Sequence, residues 1–302
     1  LHCRIGWDAL LIAVIAAGCG RDAAETCNGS ASNCDLAYDK VTFAATHDAF
    51  AYASGGPIEY IEPNQDLPIP NQLAYGIRGL GIRPCPSLSK DPAQSDVIYV
   101  THNYDVLGGI IGGEPLLDIL NEVKLFLDAH PTEVISIFAE DTVVTPAQVG
   151  QVFVQAGLGP YLFTPSADGR WPTLRQMARS NQRLVVFDDG SDLLPWQLPM
   201  WSYLTDTDYN VTDPSQFSCD YYRGQPGNPL YFINQFIYQD FGGGILAASP
   251  AKATIANNPT TAYARAVSCW HQKSRVPNFI YVDFYLEGNV GQVVQKLNAL
   301  PR

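Results

Sequence analysis

Two histidines fall at the ends of apolar runs of strand length: His47 closes Val41–His47, and His102 lies near the end of Val97–Asn103. Imidazole titrates near neutrality, so one member of such a pair can start neutral and accept a proton while the other starts charged and gives one. Other apolar runs also finish in polar groups. Arg83 ends Ile77–Pro84, Glu140 and Asp141 end Glu133–Asp141, and Asp188 and Asp189 end Arg183–Asp189. Asn234 falls late in Tyr231–Phe236, and Asp283 late in Phe279–Tyr285. Gathered on one rim, two histidines, an arginine and several carboxylates suit acid–base work on an anionic phosphate ester. His130 and His271 follow helical patterns and read as structural.

Gathering those residues requires parallel strands whose C-terminal ends meet. The runs are continuously apolar rather than alternating, as strands buried on both faces are. Helical stripes separate them: Leu116, Leu120, Val123 and Leu127 in one, and Val290, Val293, Val294 and Leu297 in another. Pro172 after Trp171 marks a further helix start. Seven or eight such units in 302 residues predict an α/β fold, a single-domain TIM-type (β/α) barrel that is irregular or incomplete in closure. The loop-rich stretch from about Gly190 to Pro229 reads as an insertion. No glycine-rich nucleotide loop is present in the sequence. The net charge of −12 argues against nucleic acid as a partner, and a monomer is expected.

The apolar run from Ala9 to Ala17 behind Arg4 is too short to span a bilayer and reads as a signal-peptide core. It ends Ala16-Ala17-Gly18-Cys19, similar to a bacterial lipoprotein cleavage box with Cys19 lipidated; ordinary export with a small-residue cleavage site is the alternative. Either implies a secreted or envelope-anchored, extracytoplasmic protein. Cysteine usage agrees with export: Cys27 and Cys34 close a short polar loop and are expected to be bridged, Cys219 and Cys269 form a second candidate pair, and Cys85 is left over. The expected organisation is a leader over 1–19, a disulfide-closed segment over 20–40 and the barrel over 41–302.

Several segments carry a family resemblance. They are Thr46-His47-Asp48-Ala49-Phe50, Gln72 to Leu80, Thr101-His102-Asn103, Phe126 to Val134, Trp171 to Leu174, Asn181 to Phe187 and Pro277 to Tyr285. In this order they resemble the phosphatidylinositol-specific phospholipase C X domain over roughly residues 24 to 300. The resemblance implies that His47 is the general base acting on the inositol 2-hydroxyl, with Asp283 orienting it. It implies that His102, with Asp48 close by, is the acid for the diacylglycerol oxygen, and that the product is a cyclic phosphate. The substrate partner would be a phospholipid at a membrane surface. Calcium-dependent members place acidic metal ligands on the second strand; Gly81-Ile82-Arg83 has none, so Arg83 is expected to replace the cation and no metal cofactor is expected. Glu140 and Asp48 resemble calcium ligands of the other branch, but two carboxylates make a poor calcium site. Gly81 stands where the metal-independent relatives carry an acidic residue. Glu140, Asp189, Asn234 and Tyr285 are the expected substrate contacts. A glycerophosphodiester phosphodiesterase and a non-catalytic headgroup-binding module are the competing readings.

Overall fold

The computed structural model describes residues 25–53, 63–87, 96–101, 113–140 and 144–302. The expected leader with Cys19, and also His102, Asn103 and Asp141, lie outside the described residues. In chain order the elements begin with β1 (Phe43–Thr46), α1 (Ile69–Tyr75), β2 (Gly79–Ile82), β3 (Pro84–Pro86), β4 (Ile98–Val100), β5 (Glu114–Pro115), α2 (Leu116–Ala129) and β6 (Ile135–Ala139). Then come α3 (Pro146–Gln155), α4 (Leu174–Ser180), β7 (Leu184–Asp188), β8 (Gln197–Pro199), α5 (Met200–Tyr203) and β9 (Leu204–Asp206). The chain continues through β10 (Leu230–Asn234), β11 (Gln239–Asp240), β12 (Leu246–Ala247), α6 (Pro250–Ala256), α7 (Pro259–Lys273), β13 (Phe279–Val282) and α8 (Val290–Asn298).

Eight strands form one sheet in the order β8-β7-β6-β2-β1-β13-β10-β9, and each adjacent pair in it is parallel. The sheet curls into a TIM-type barrel without a hydrogen-bonded seam among the described residues: its edge strands β8 and β9 are joined only through the four residues of α5. Strands β6, β7, β10 and β13 are buried along their whole length, as their continuous apolar sequences require. Alternate residues divide the core. Phe138, Phe187, Phe232, Phe279 and Tyr281 pack with one another inside, with Phe138 edge-on to Phe279 at 4.9 Å. Ile137, Val186, Ile233, Ile280 and Val282 join the cluster that includes the helix residues. The expected helix stripes lie there: Leu116, Leu120, Val123 and Leu127 on α2, and Val290, Val293 and Leu297 on α8 are buried.

Three expectations need correction. The stretch from Gly190 to Pro229 is not an insertion, since it contains both edge strands of the barrel. These strands are three residues each, too short to show periodicity beside the surrounding turns. The third expected strand, Val97–Asn103, is β4, and it belongs to a separate antiparallel sheet in the order β3-β4-β5; three apolar residues do not reveal which sheet they join. Helix α4 starts two residues after Pro172, with Thr173 as its N-cap in a capping box with Gln176.

Arg78 is structural, paired through Nε to Glu133 at 2.6 Å and donating to the Leu73 and Ile77 carbonyls. Disulfides join Cys27 to Cys34 and Cys219 to Cys269, and Cys85 is a buried free thiol. The second bridge spans 50 residues and the first 7. Loop-closure entropy therefore predicts that replacing Cys219 and Cys269 by alanine costs about 4 kcal/mol, against roughly 2 kcal/mol for the first pair. Urea unfolding of the two double variants checks the order.

Candidate active site

Register places the polar groups. Thr46 of β1 is paired with Val282 of β13, so the next residues, His47 and Asp283, leave the sheet side by side. The ring nitrogen Nδ1 of His47 lies 3.0 Å from Asp283 Oδ1. On the other side of β1, Ile82 of β2 is paired with Ala139 of β6, which puts Arg83 next to Glu140 at the rim. Asp283, His47, Arg83 and Glu140 thus follow the spatial strand order β13-β1-β2-β6. Asp48 and Phe284 each take a left-handed backbone, φ 42° and 45°. Such values are costly for residues other than glycine and gather at functional sites. Here they turn the chain sharply just after His47 and Asp283.

The loop after β1 holds the turns in place. Gln65 donates to the carbonyls of His47 at 2.6 Å and Val282 at 3.0 Å, tying the two strand ends together. Asn64 donates to Asp283 Oδ1 at 3.1 Å. Both residues are fully buried. The His47 ring stacks on Phe236 with centroids 4.6 Å apart, and Tyr281 meets it edge-on at 5.4 Å. With Nδ1–H donated to Asp283, Nε2 is left as an acceptor, and Arg83 Nη2 stands 3.3 Å from it. Arg83 Nε donates to Asp48 Oδ1 at 2.8 Å, and the other Asp48 oxygen is 3.5 Å from His47 Nε2. Burial alone would lower the His47 pKa, but the carboxylates of Asp48 and Asp283 outweigh both burial and the opposing Arg83, leaving it above the ordinary imidazole value.

A cavity of about 400 Å³ opens over this cluster, with His47, Arg83, Glu140, Arg223, Asn234 and Tyr281 in its lining. At its far side is a second guanidinium. The Arg223 side chain donates to Asp206 Oδ2 through Nε at 2.8 Å and Nη2 at 2.5 Å, and its backbone N–H donates to Oδ1. Nη1 reaches Glu140 at 3.5 Å, and the guanidinium lies over Trp201 at 4.0 Å and Tyr209 at 4.6 Å. Asn234 donates to Asp206 and to the Thr207 carbonyl. Glu140 also accepts from the Tyr281 hydroxyl at 3.1 Å. Burial raises its pKa, opposed by Arg223, Arg83 and His47 and reinforced by Asp48.

Gly81 has a steric explanation. A Cβ built on it would sit 1.7 Å from Tyr281 Oη, so the absence of a side chain on β2 makes room for the phenol on β13. Gly81→Ala should displace Tyr281 and release Glu140. Overpacking of this kind costs about 1–3 kcal/mol, read as a lowered thermal midpoint.

Of the residues singled out from sequence, the structure brings His47, Asp48, Arg83, Glu140, Asn234 and Asp283 together. Two expected substrate contacts do not line this cavity. Tyr285 lies past the sharp turn at Phe284; it is buried with the outer core and packs edge-on against Tyr75 at 5.0 Å, away from the cavity. Asp189 continues the β7 ladder by donating its N–H to the Ala139 carbonyl, and it is not in the cavity lining either. Its neighbour Asp188 accepts from Gly190 N–H and Gln197, fixing the turn toward β8. One residue before His102, Thr101 is buried with its N–H donated to the Arg83 carbonyl at 3.2 Å. Sequence reasoning missed Asn64, Gln65, Asp206, Arg223 and Tyr281. The first four sit in loops or at the end of a three-residue strand, where no periodicity marks them. Tyr281 was concealed within an apolar strand.

The PI-PLC X family model (PI-PLC X 1) matches residues 33–298. A PI-PLC X domain-containing protein of Arabidopsis thaliana is 28% identical over 286 residues, covering 88% of this chain and 62% of that protein. An uncharacterized secreted protein of Arthroderma benhamiae is 28% identical over 301 residues, covering 90% of this chain and 64% of that protein. The chain therefore spans less than two thirds of the length of these two relatives. Among solved structures, a phosphatidylinositol-specific phospholipase C of S. aureus superposes with a TM-score of 0.61 at 15% identity, over 87% of this chain and 94% of that one. This likeness establishes the shared barrel fold.

Proposed function

The chain belongs to the PI-PLC X family, and from that premise we propose that it cleaves the phosphodiester of phosphatidylinositol-type lipids with His47 as general base. The observation that carries this reading is the bracketing of His47, with Asp283 on Nδ1 and the Arg83 guanidinium beside Nε2, at the floor of a cavity. In the reaction, Nε2 takes the proton of the inositol 2-hydroxyl as its oxygen attacks phosphorus. Asp283 holds the tautomer and stabilises the imidazolium that forms. Arg83 offsets the charge growing on the phosphoryl oxygens. The bond from phosphorus to the diacylglycerol oxygen breaks, that oxygen takes a proton from the acid, assigned to His102, and a cyclic phosphodiester remains.

A metal-free course is part of the proposal: the carboxylates of Asp48 and Glu140 are engaged by Arg83, Arg223 and Tyr281. The same inventory bears on the headgroup. Arg223 is already balanced by Asp206 and Glu140, so that end of the cavity suits neutral hydroxyls rather than an additional phosphate. Access from a membrane surface is supported by the β11–β12 hairpin. Its Gly244, Leu246 and Ala247 line the cavity, while Phe241 and Ile245 are 68% and 59% exposed beside it. Two disulfides fit an extracellular location, consistent with secretion; among the described residues no helix is long and apolar enough to cross a membrane.

Vesicles of phosphatidylinositol, its 4-phosphate and phosphatidylcholine, assayed for release of water-soluble phosphorus, test the proposal. The expected result is rapid release from phosphatidylinositol, at least tenfold slower release from the 4-phosphate (about 1.4 kcal/mol of discrimination) and none from phosphatidylcholine. No release from any inositol lipid would refute the reaction. Equal release from both inositol lipids would refute the headgroup assignment alone.

A further inference from the structure

A second cavity lies behind the active-site wall. Asn234 lines the first cavity and Gln235, the next residue, lines the second. The second encloses about 620 Å³ between the segment around Pro214 and Phe217, the end of α6 and the start of α7. Its one arginine, Arg265 on α7, is like the buried Arg183 in having only neutral hydrogen-bond partners among the described residues. Arg78, Arg83, Arg170, Arg175 and Arg223 each pair with a carboxylate; among the described residues Arg265 pairs with none. Its Nη1 donates to the Asn234 carbonyl at 2.8 Å and to the Gln235 side chain at 2.7 Å. Its Nη2 donates to the Ser218 carbonyl at 2.9 Å and to Thr207 Oγ1 at 3.3 Å. Nε is buried without a hydrogen-bond partner, and Phe217 covers one face of the guanidinium at 4.1 Å.

A part-buried cation held only by neutral acceptors carries a desolvation cost, because carbonyl dipoles offset little of the lost hydration of a full charge. Burial pushes the Arg265 pKa down to about 10, which still leaves it charged at neutral pH. Among the described residues no acidic one lines the cavity, although the chain carries a net charge of −12. A cation without a counterion beside an acid-free cavity calls for an anion from solution. The remaining walls define its body: Pro214, Phe217, Ile255 and Ala256 are apolar, and Asn258 and Thr261 supply the polar edge.

We infer that this second cavity is a binding site for a small amphiphilic monoanion, its carboxylate set against Arg265 and its alkyl body against Phe217 and Ile255. One guanidinium charge matches a monoanion better than a phosphate dianion, and the apolar walls reward an alkyl chain.

Thr261 provides the test, because it lies four residues before Arg265 on the same helix. Thr261→Glu supplies a carboxylate at i,i+4 to the arginine, in a first helical turn where acidic residues are favourable, so the fold is retained. Thr261→Gln has nearly the same size without the charge. Binding of acetate and hexanoate to the full chain would be measured by calorimetry at constant ionic strength. The expected result is that hexanoate binds with one site, roughly tenfold more tightly than acetate. Thr261→Glu should bind at least about tenfold more weakly than Thr261→Gln, the difference between the two isolating the charge. Absence of saturable binding to the parent chain would overturn the inference. So would equal binding by Thr261→Glu, or binding lost in Arg83→Gln and kept in Thr261→Glu, which would put the anion in the first cavity.

Discussion

His47→Gln should lower turnover on the true substrate by about 10²–10⁴-fold, the usual contribution of one acid–base group. Glutamine can still donate an amide hydrogen to Asp283, so the buried carboxylate is not stranded and near-UV circular dichroism should be unchanged. No group in the variant accepts a proton near neutral pH at the position of Nε2. The loss should therefore fall on kcat, with KM little altered, because Arg83, Glu140 and Arg223 still line the cavity. The parent profile has a matching signature. His47 must be neutral to act, and its pKa is raised by Asp48 and Asp283 against the effect of burial. The acid limb of kcat/KM should thus rise through a value above about 6.5. The linkage to stability has the opposite sense. The raised pKa stabilises the fold fully below the unfolded value near 6.5, and this contribution is lost as pH rises through the folded value.

Arg83→Gln should cost about 10²–10³-fold in kcat, the range for losing one preorganised donor to a developing oxyanion. The variant also removes the guanidinium charge 2.8 Å from Asp48. With that charge gone, the Asp48 carboxylate 3.5 Å from Nε2 should hold the His47 proton more firmly and move the acid limb to still higher pH. Arg83→Lys restores the charge but not the fork that reaches Asp48 and His47 together, so recovery should be partial. A rate and a pH profile that both stayed at the parent values would remove Arg83 from the mechanism.

How much of this was legible in the sequence follows from physical scale. Strands β1, β2, β6, β7, β10 and β13 are four or five residues of buried apolar sequence and could be read directly. Their polar C-terminal residues marked His47, Arg83, Glu140, Asn234 and Asp283 before any geometry was known. The edge strands β8 and β9 could not be read, because three residues among prolines and turns carry no period. With them went Asp206 and Arg223, whose pairing depends on a contact across 17 residues. Asp189 and Tyr285 do not line the cavity, because position at a strand end does not say which way a side chain turns. The left-handed residue Phe284 sends Tyr285 outward, and Asp188 spends its carboxylate on the following turn. The Gly81–Tyr281 exchange is invisible along the chain, since it relates two strands that do not pair with each other.

The central claim is that His47 and Arg83 perform a metal-free transfer to an internal hydroxyl, and phosphorus NMR tests it most directly. The full chain would be incubated with phosphatidylinositol vesicles in EDTA, and separately in calcium, while the phosphorus spectrum is followed. The account predicts a cyclic inositol phosphate resonance that appears at the same rate in both. A product that is acyclic from the outset, or a cyclic product formed only with calcium, would contradict it.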